Sequence, residues 1–415
     1  MLLLEFTQIT SRLSIVALLY LLINCILPHS QVNLIFSTIL ATSVIARSDM
    51  FKNLTNGFLR SQGVVDKTIS ISHKNKALLD ALYDIECYLG GANSWLDRRR
   101  MLFKSMNSYQ QSLGNKIQYP DKLNQIEQHF KKNDTVLKNI IDYNLRHHKI
   151  DKNEYKVWKS QYAVKSRNSE YFRVVESLCH FARDWSDDNE HKKEIEPLLN
   201  FIKNNLSDFN PNKTKIIVPG SGLGRVAHEC AKLGFETHSV EFSGLMVAMN
   251  EYIYSNDELK DNIYPYLHTN SNHLTFADQI RSVGIKHVEK PLSLSLHCAD
   301  FTKFESIVKQ NEDVVIVTCF FIDTAENLIE YIESINRLCE NSKGSNGKRL
   351  WINMGPLKYG TAAKIELTQE EIKQLVKIMG WEIIQEESPE LLGYLTDKKG
   401  LWQGYYNVVK WVAKM

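Results

Sequence analysis

The sequence predicts an α/β protein built on a seven-stranded, doubly wound sheet with a helical domain before it. Two observations carry this. After Pro211, short apolar runs alternate with amphipathic helices, the pattern of a mainly parallel sheet covered on both faces. Before it, from about residue 49 to 202, the chain is polar and helical, with long runs free of Gly and Pro. A third observation places a binding site: the first apolar run, KIIV, leads directly into PGSGLGR, a glycine-rich strand-to-helix turn.

Taken in order, the chain opens with a hydrophobic segment, residues 1–48. Residues 13–46 hold no Asp, Glu, Lys or Arg, enough to cross a bilayer, for which about 20 apolar residues suffice. Pro28, His29, Ser30 and Gln31 interrupt the run, so a tilted span, a short hairpin, a cleaved signal and a segment that anchors nothing all stay open. Arg47, Lys52 and Arg60 follow it, which by the positive-inside tendency leaves the main body in the cytoplasm.

Residues 49–205 read as a helical domain or cap. Within 123–146, Ile126, Phe130, Leu137, Ile140, Ile141 and Leu145 recur at helical spacing. Residues 206–415 read as the sheet domain, with strands at 215–218, 236–242, 292–298, 313–320, 349–354, 381–386 and 405–412. Helices fill the gaps at 224–233, 245–254, 324–340 and 369–379.

Composition removes several function classes. Lys plus Arg total 50 against 48 Asp plus Glu, a net charge of +2, too small for the phosphate-neutralising footprint of a nucleic-acid binder. The seven cysteines are scattered without a CxxC pair, as expected of reduced thiols in a cytosolic protein. His147 and His148 sit in a polar helix and read as a solvated face, and no metal site is expected.

Gly220, Gly222 and Gly224 fall where a bulky side chain would keep a ligand from the loop amides and the helix N-terminus. Glu241 ends the second strand, where a carboxylate can accept both hydroxyls of a ribose; Asp300 ends the third, where it can hold an adenine edge. Nicotinamide dinucleotides and S-adenosylmethionine both use such a turn and such an acid. The GxGxG spacing and a hairpin-like last strand pair lean toward the methyl donor. An oxidoreductase would add a sixth parallel strand and a catalytic His or Lys, neither placed by a motif.

The stretches PGSGLGRVAHECAKLGFETHSVEFS, SNHLTFADQIR, TCFFIDTAENLIEYIESI, LWINMGPLKY and ARDWSDD resemble the carnosine N-methyltransferases, over roughly residues 76–415. The resemblance implies a class I, Rossmann-like enzyme, cytosolic or nuclear, that moves a methyl group from S-adenosylmethionine to an imidazole nitrogen of carnosine, a His-containing dipeptide, giving anserine. It implies donor contacts from Arg183 and from His180, which replaces a family Gln, alongside Gly220, Gly222, Glu241 and Asp300. It implies substrate contacts from Asp323, the catalytic candidate, and from Tyr394 and Tyr406. Asp323 also sits where it could cap the following helix, with Glu326 three residues on.

Two positions depart from the family. Gly360 stands where a His is typical and Gly404 where the first Tyr of a YYY run is typical. Their loss is expected to enlarge the acceptor pocket and weaken carnosine binding, and it keeps open a different acceptor or a membrane-tethered, donor-binding pseudoenzyme.

Overall fold

The computed structural model describes residues 76–415 except 163–170, 187, 256–258, 270 and 343–346. The hydrophobic run at 13–46 lies outside the described residues; among those described, no helix is long and apolar enough to cross a membrane. The described residues fall within one compact unit, His73–Met415.

Helices come first: α1 (Lys76–Glu86), α2 (Tyr88–Lys104), α3 (Ser108–Lys116), α4 (Tyr119–His147), α5 (Lys152–Tyr162), α6 (Tyr171–Trp185) and α7 (Asn189–Leu206). In α4 the side chains repeating at three and four, Leu123, Ile126, Phe130, Leu137, Ile140 and Leu145, are all buried, so its apolar stripe faces inward. Polar side chains on the same stripe reach the sheet part. Asn133 bonds both backbone groups of Tyr264, at 3.0 and 2.8 Å, and Asn144 Nδ2 donates to the Ala248 carbonyl at 2.9 Å. Buried amides must be satisfied, so these bonds fix how the helical part sits on the rest.

The remaining elements are β1 (Thr214–Pro219), α8 (Arg225–Lys232), β2 (Glu236–Glu241), α9 (Gly244–Ile253), β3 (Lys260–Ile263), α10 (Phe276–Gln279), β4 (Val283–Lys286), β5 (Leu294–Cys298), β6 (Asp313–Cys319), α11 (Leu328–Cys339), β7 (Arg349–Gly355), α12 (Gln369–Ile378), β8 (Glu382–Gly393) and β9 (Tyr405–Lys414). The seven-stranded sheet runs β5-β2-β1-β6-β7-β9-β8. Strands β5, β2, β1, β6 and β7 pair parallel, and β9 enters antiparallel between β7 and β8.

Both faces of the central strands are apolar, which is why they read as continuous hydrophobic runs. Ile216, Val218, Val315 and Val317 join Phe201, Ile202, Val226 and Ala227 under α7 and α8. Ile217, Val314 and Ile316 join Ile332, Ile335, Ile372 and Val376 under α11 and α12. Trp351, buried on the second face, packs 4.8 Å from the Trp411 ring and donates through Nε1 to Thr318 Oγ1 at 2.9 Å. Truncating it to Ala would cost about 3–5 kcal/mol.

Three elements differ from the sequence expectation. The helix expected from residue 324 starts at Leu328 with Asn327 as its N-cap, so Asp323 does not cap it. The strand expected over 381–386 runs to Gly393, because two register shifts let it follow β9 past the break at Ser388 and Pro389. The short antiparallel ribbon β3–β4 was not expected; four-residue strands carry too little periodicity to announce themselves.

Candidate active site

The carboxyl ends of β5, β2, β1 and β6 lie side by side, and the order in which strands are added reverses between β1 and β6, where open sheets bind ligands. The turn after β1 holds Gly220, Gly222 and Gly224 at φ of +58°, +55° and +75°. A Cβ at Gly220 would collide with the Phe321 ring, whereas one at Gly222 would meet no atom within 4 Å. Gly220 is therefore required by packing, and the open side of Gly222 is where a ligand can approach the backbone.

That turn lines a cavity of about 100 Å³ with His180, Arg183, Cys319, Phe320 and Tyr394. The helical part supplies His180 and Arg183, and α6 is bolted to the turn at two points. Trp185 Nε1 donates to the Leu223 carbonyl at 2.8 Å, and an Arg225 guanidinium nitrogen donates to the Asp184 carbonyl at 2.8 Å. Arg183 forks onto Asp184 at 2.6 and 3.0 Å, with its guanidinium carbon 4.9 Å from the Tyr394 ring centroid. Burial opposes its charge, but Asp184 more than offsets this and raises its pKa. His180 is 9% exposed, and its Nδ1 has no hydrogen-bond partner among the described residues. Burial and the neighbouring Arg183 push its pKa down to about 4, so the ring is neutral at pH 7.

Glu241 accepts from Gly222 N through Oε2 and from Ser243 N through Oε1, both at 2.8 Å, tying the glycine turn to the start of α9. Burial raises its pKa against these bonds and one from the Phe242 amide. With about four acceptor sites on a carboxylate, one remains for a hydroxyl. Asp300 is more committed: Oδ1 accepts from both the backbone and hydroxyl of Thr302, at 3.0 and 2.8 Å, while Oδ2 pairs with Lys303 at 2.9 Å.

On the other side of the switch, Phe320 follows β6 at φ +52°, a costly conformation for a bulky residue. It stacks on Tyr394 at 4.7 Å and meets Tyr406 edge-on at 6.4 Å. Asp323 is 6% exposed and accepts from Lys358 N through Oδ2 at 2.9 Å, while Lys358 Nζ lies 5.8 Å from the Tyr406 centroid. Burial raises the Asp323 pKa above the ordinary carboxylate range. Sequence reasoning missed Phe320 and Cys319 as cavity walls; the strained φ that aims Phe320 leaves no compositional mark.

The two glycine departures are unlike each other. A side chain at Gly360 would meet nothing within 4 Å, but a Cβ at Gly404 would lie 3.0 Å from Trp402 Cη2. The Trp402 indole, itself 73% exposed, thus borders the direction that a side chain at Gly404 would take. The segment at 271–281 holds this loop: Leu401 N donates to Asn272 O at 2.8 Å, Trp402 N bonds Asn272 Oδ1, and Arg281 pairs with Asp397 at 2.5 Å.

A dinucleotide fold would place a sixth parallel strand beside β7. Antiparallel β9 occupies that position, and with the glycine turn it makes the class that of S-adenosylmethionine-dependent methyltransferases of the Rossmann-like, class I type. The profile described as carnosine N-methyltransferase matches residues 160–415. Mouse (Mus musculus) carnosine N-methyltransferase is 30% identical over 336 residues, spanning 77% of this chain and 81% of its own. The protein YMR209C of Saccharomyces cerevisiae is 34% identical over 264 residues, 60% of this chain and 56% of that one. Magnesium protoporphyrin IX methyltransferase from Synechocystis PCC 6803 aligns over 58% of this chain and 94% of its own, with 11% identity and a TM-score of 0.36. The chain belongs to the carnosine N-methyltransferase family, and it is an S-adenosylmethionine-dependent N-methyltransferase.

Proposed function

We propose that the acceptor is a small imidazole compound, carnosine or a related His-containing dipeptide, methylated on a ring nitrogen. The observation that carries this is the aromatic group Phe320, Tyr394 and Tyr406, the first two of which line the cavity at the glycine turn, with Asp323 buried three residues after Phe320. Rings of this kind fit a flat heteroaromatic acceptor, and their faces favour a cation. The donor fits the residues present: Gly222 leaves open approach, Glu241 stands at the glycine turn with acceptor capacity for a ribose, and His180, whose Nδ1 has no partner among the described residues, lines the cavity with Arg183. When bound, S-adenosylmethionine supplies an electrophilic methyl on a sulfonium.

The chain's own part is positioning. The attacking ring nitrogen must be neutral and held in line at about 3–3.5 Å. Asp323 would accept the hydrogen of the other ring nitrogen, keeping the lone pair turned toward the methyl. As the N–CH3 bond forms and the sulfonium S–CH3 bond breaks, leaving a neutral thioether, positive charge would arise on the acceptor ring, and its N–H proton would pass to the Asp323 carboxylate and on to solvent, restoring neutrality. Phe320 and Tyr394 line the same cavity as Gly220, Gly222, His180 and Arg183, so in this reading the acceptor ring meets the donor beside the glycine turn.

The described helices from Lys76 to Leu206 act in this reading as a cap that completes the donor site through α6, and residues 206–415 carry the sheet. Incubation with radiolabelled S-adenosylmethionine and a panel of imidazole dipeptides tests the proposal. Label transfer to an imidazole nitrogen is expected; donor binding without transfer to any imidazole would overturn it.

A further inference from the structure

We propose that His147, His148 and Glu251 form a binding site for a divalent transition ion of the zinc class, separate from the methyl-transfer site. The sequence pattern alone assigns the His pair to a solvated helix face, but the fold adds a third ligand. His147 is the last residue of α4 and His148 its C-cap, and their rings converge to 5.0 Å between centroids with planes at 88°. Glu251, from α9, brings Oε2 to 2.6 Å from His148 Nε2. One ligand atom from each of the three lies within 4.8 Å of the others.

Two imidazoles and one carboxylate are the donor set of an open zinc site, with the fourth position left to water. Hard ions such as magnesium or calcium prefer all-oxygen shells, so imidazole selects against them. Ligand atoms around a tetrahedral ion with bonds of ~2.0–2.1 Å stand about 3.3 Å apart, so closing the set needs a movement of roughly 1.5 Å at a side-chain tip. The surroundings favour it. Tyr143 stacks on the His147 ring at 5.4 Å and 13°, fixing its plane. The nearby cations have partners of their own: Lys152 pairs with Asp142 at 2.7 Å and Arg146 Nε donates to the Asp142 carbonyl at 3.1 Å.

Glu251 lies eight residues along from the Ser243 cap of α9, roughly 12 Å at 1.5 Å per residue. The ion would therefore not touch the reacting groups. It would clamp the end of α4 to the helix that follows Glu241, joining the helical part to the donor half of the sheet.

The test uses the full-length protein, stripped with a chelator, dialysed, and titrated with zinc chloride by calorimetry. One equivalent and a raised Tm are expected. His147→Asn, at an exposed position that should not affect folding, and Glu251→Gln should each weaken binding at least tenfold. His238→Asn, which alters a different His pair, should leave it unchanged. Cobalt(II) gives a second readout, through visible absorption that both site variants should lose. Absence of binding at micromolar zinc, or binding and cobalt absorption that survive in both His147→Asn and Glu251→Gln, would overturn the site.

Discussion

Glu241 holds Gly222: its Oε2 takes the Gly222 amide at 2.8 Å while Oε1 takes Ser243. The acid thus shapes the turn besides offering lone pairs to a ligand. Replacing it with Ala should weaken S-adenosylmethionine binding by about 1.5–3 kcal/mol, roughly 10- to 150-fold, as for hydrogen bonds to a charged group. Glu241→Gln should do no better, since an amide can accept only one of the two N–H bonds and must point its NH₂ at the other. Because burial raises the pKa above the ordinary 4.5, donor affinity should fall on acidification with a midpoint above that value. Calorimetry across pH checks this, and a wild-type-like affinity in Glu241→Gln would remove the role.

Gly220 and Gly222 should fail differently. At Gly222 the Cβ direction is open, so Gly222→Val should fold, with about 1–2 kcal/mol of strain for its left-handed φ, and lose donor binding. Gly220→Ala drives a methyl into Phe321 and should lower Tm markedly. Unchanged donor affinity in Gly222→Val would show that the ligand does not approach this face of the turn.

Acid should destabilise the fold between pH 6.5 and about 4. His180, His228 and His297 have pKa values pushed down to about 4, and His268 to about 3, each chiefly by burial. In that window the unfolded chain binds protons that the folded one refuses, so stability present above 6.5 is lost as pH falls. His180→Gln should remove its share, on the order of 3 kcal/mol at most, and flatten the Tm against pH curve. A curve parallel to that of the unmodified protein would mean that His180 is already charged in the fold.

The strand-helix grammar after Pro211 and the donor turn were legible because each rests on a local rule: apolar strands of matching length, glycines where only glycine fits, an acid at a strand end. Asp323 shows the limit. Its sequence setting fits a helix cap, and only the fold reveals that its partner is the amide of Lys358, 35 residues away. Phe320 and Trp402 were illegible for a like reason, since the positive φ of Phe320 and the place of the Trp402 ring beside Gly404, in a loop held by Asn272, depend on contacts distant in sequence.

Asp323→Asn should separate structure from chemistry. The amide oxygen can still accept from Lys358 N, so the loop after β7 should keep its place and donor affinity should be unchanged. Its loss of charge should lower kcat for methyl transfer by at least tenfold, because the acceptor's developing cation loses its counter-charge. Full turnover in both Asp323→Asn and Asp323→Ala would reduce the acid to a support for Lys358.

Acceptor choice should turn on Gly360 and Gly404 in opposite ways. A His at 360 enters open space, so Gly360→His adds a hydrogen-bonding wall without displacing anything. A Tyr at 404 would have to displace the Trp402 indole, 3.0 Å from the new Cβ and held through its backbone by Asn272. Gly360→His should therefore raise carnosine kcat/KM, and Gly404→Tyr alone should lower it. Gly404→Tyr combined with Trp402→Ala should recover the loss, since the clash is removed and the phenol can settle against Tyr406. A site that hydrogen-bonds its substrate discriminates by up to ~10⁴ where a partner is missing, so tenfold changes are well within reach of an assay. Equal activity of Gly404→Tyr with and without Trp402→Ala would show that the indole does not border the acceptor, and strong carnosine turnover by the unmodified protein would show that Trp402 already supplies the missing wall.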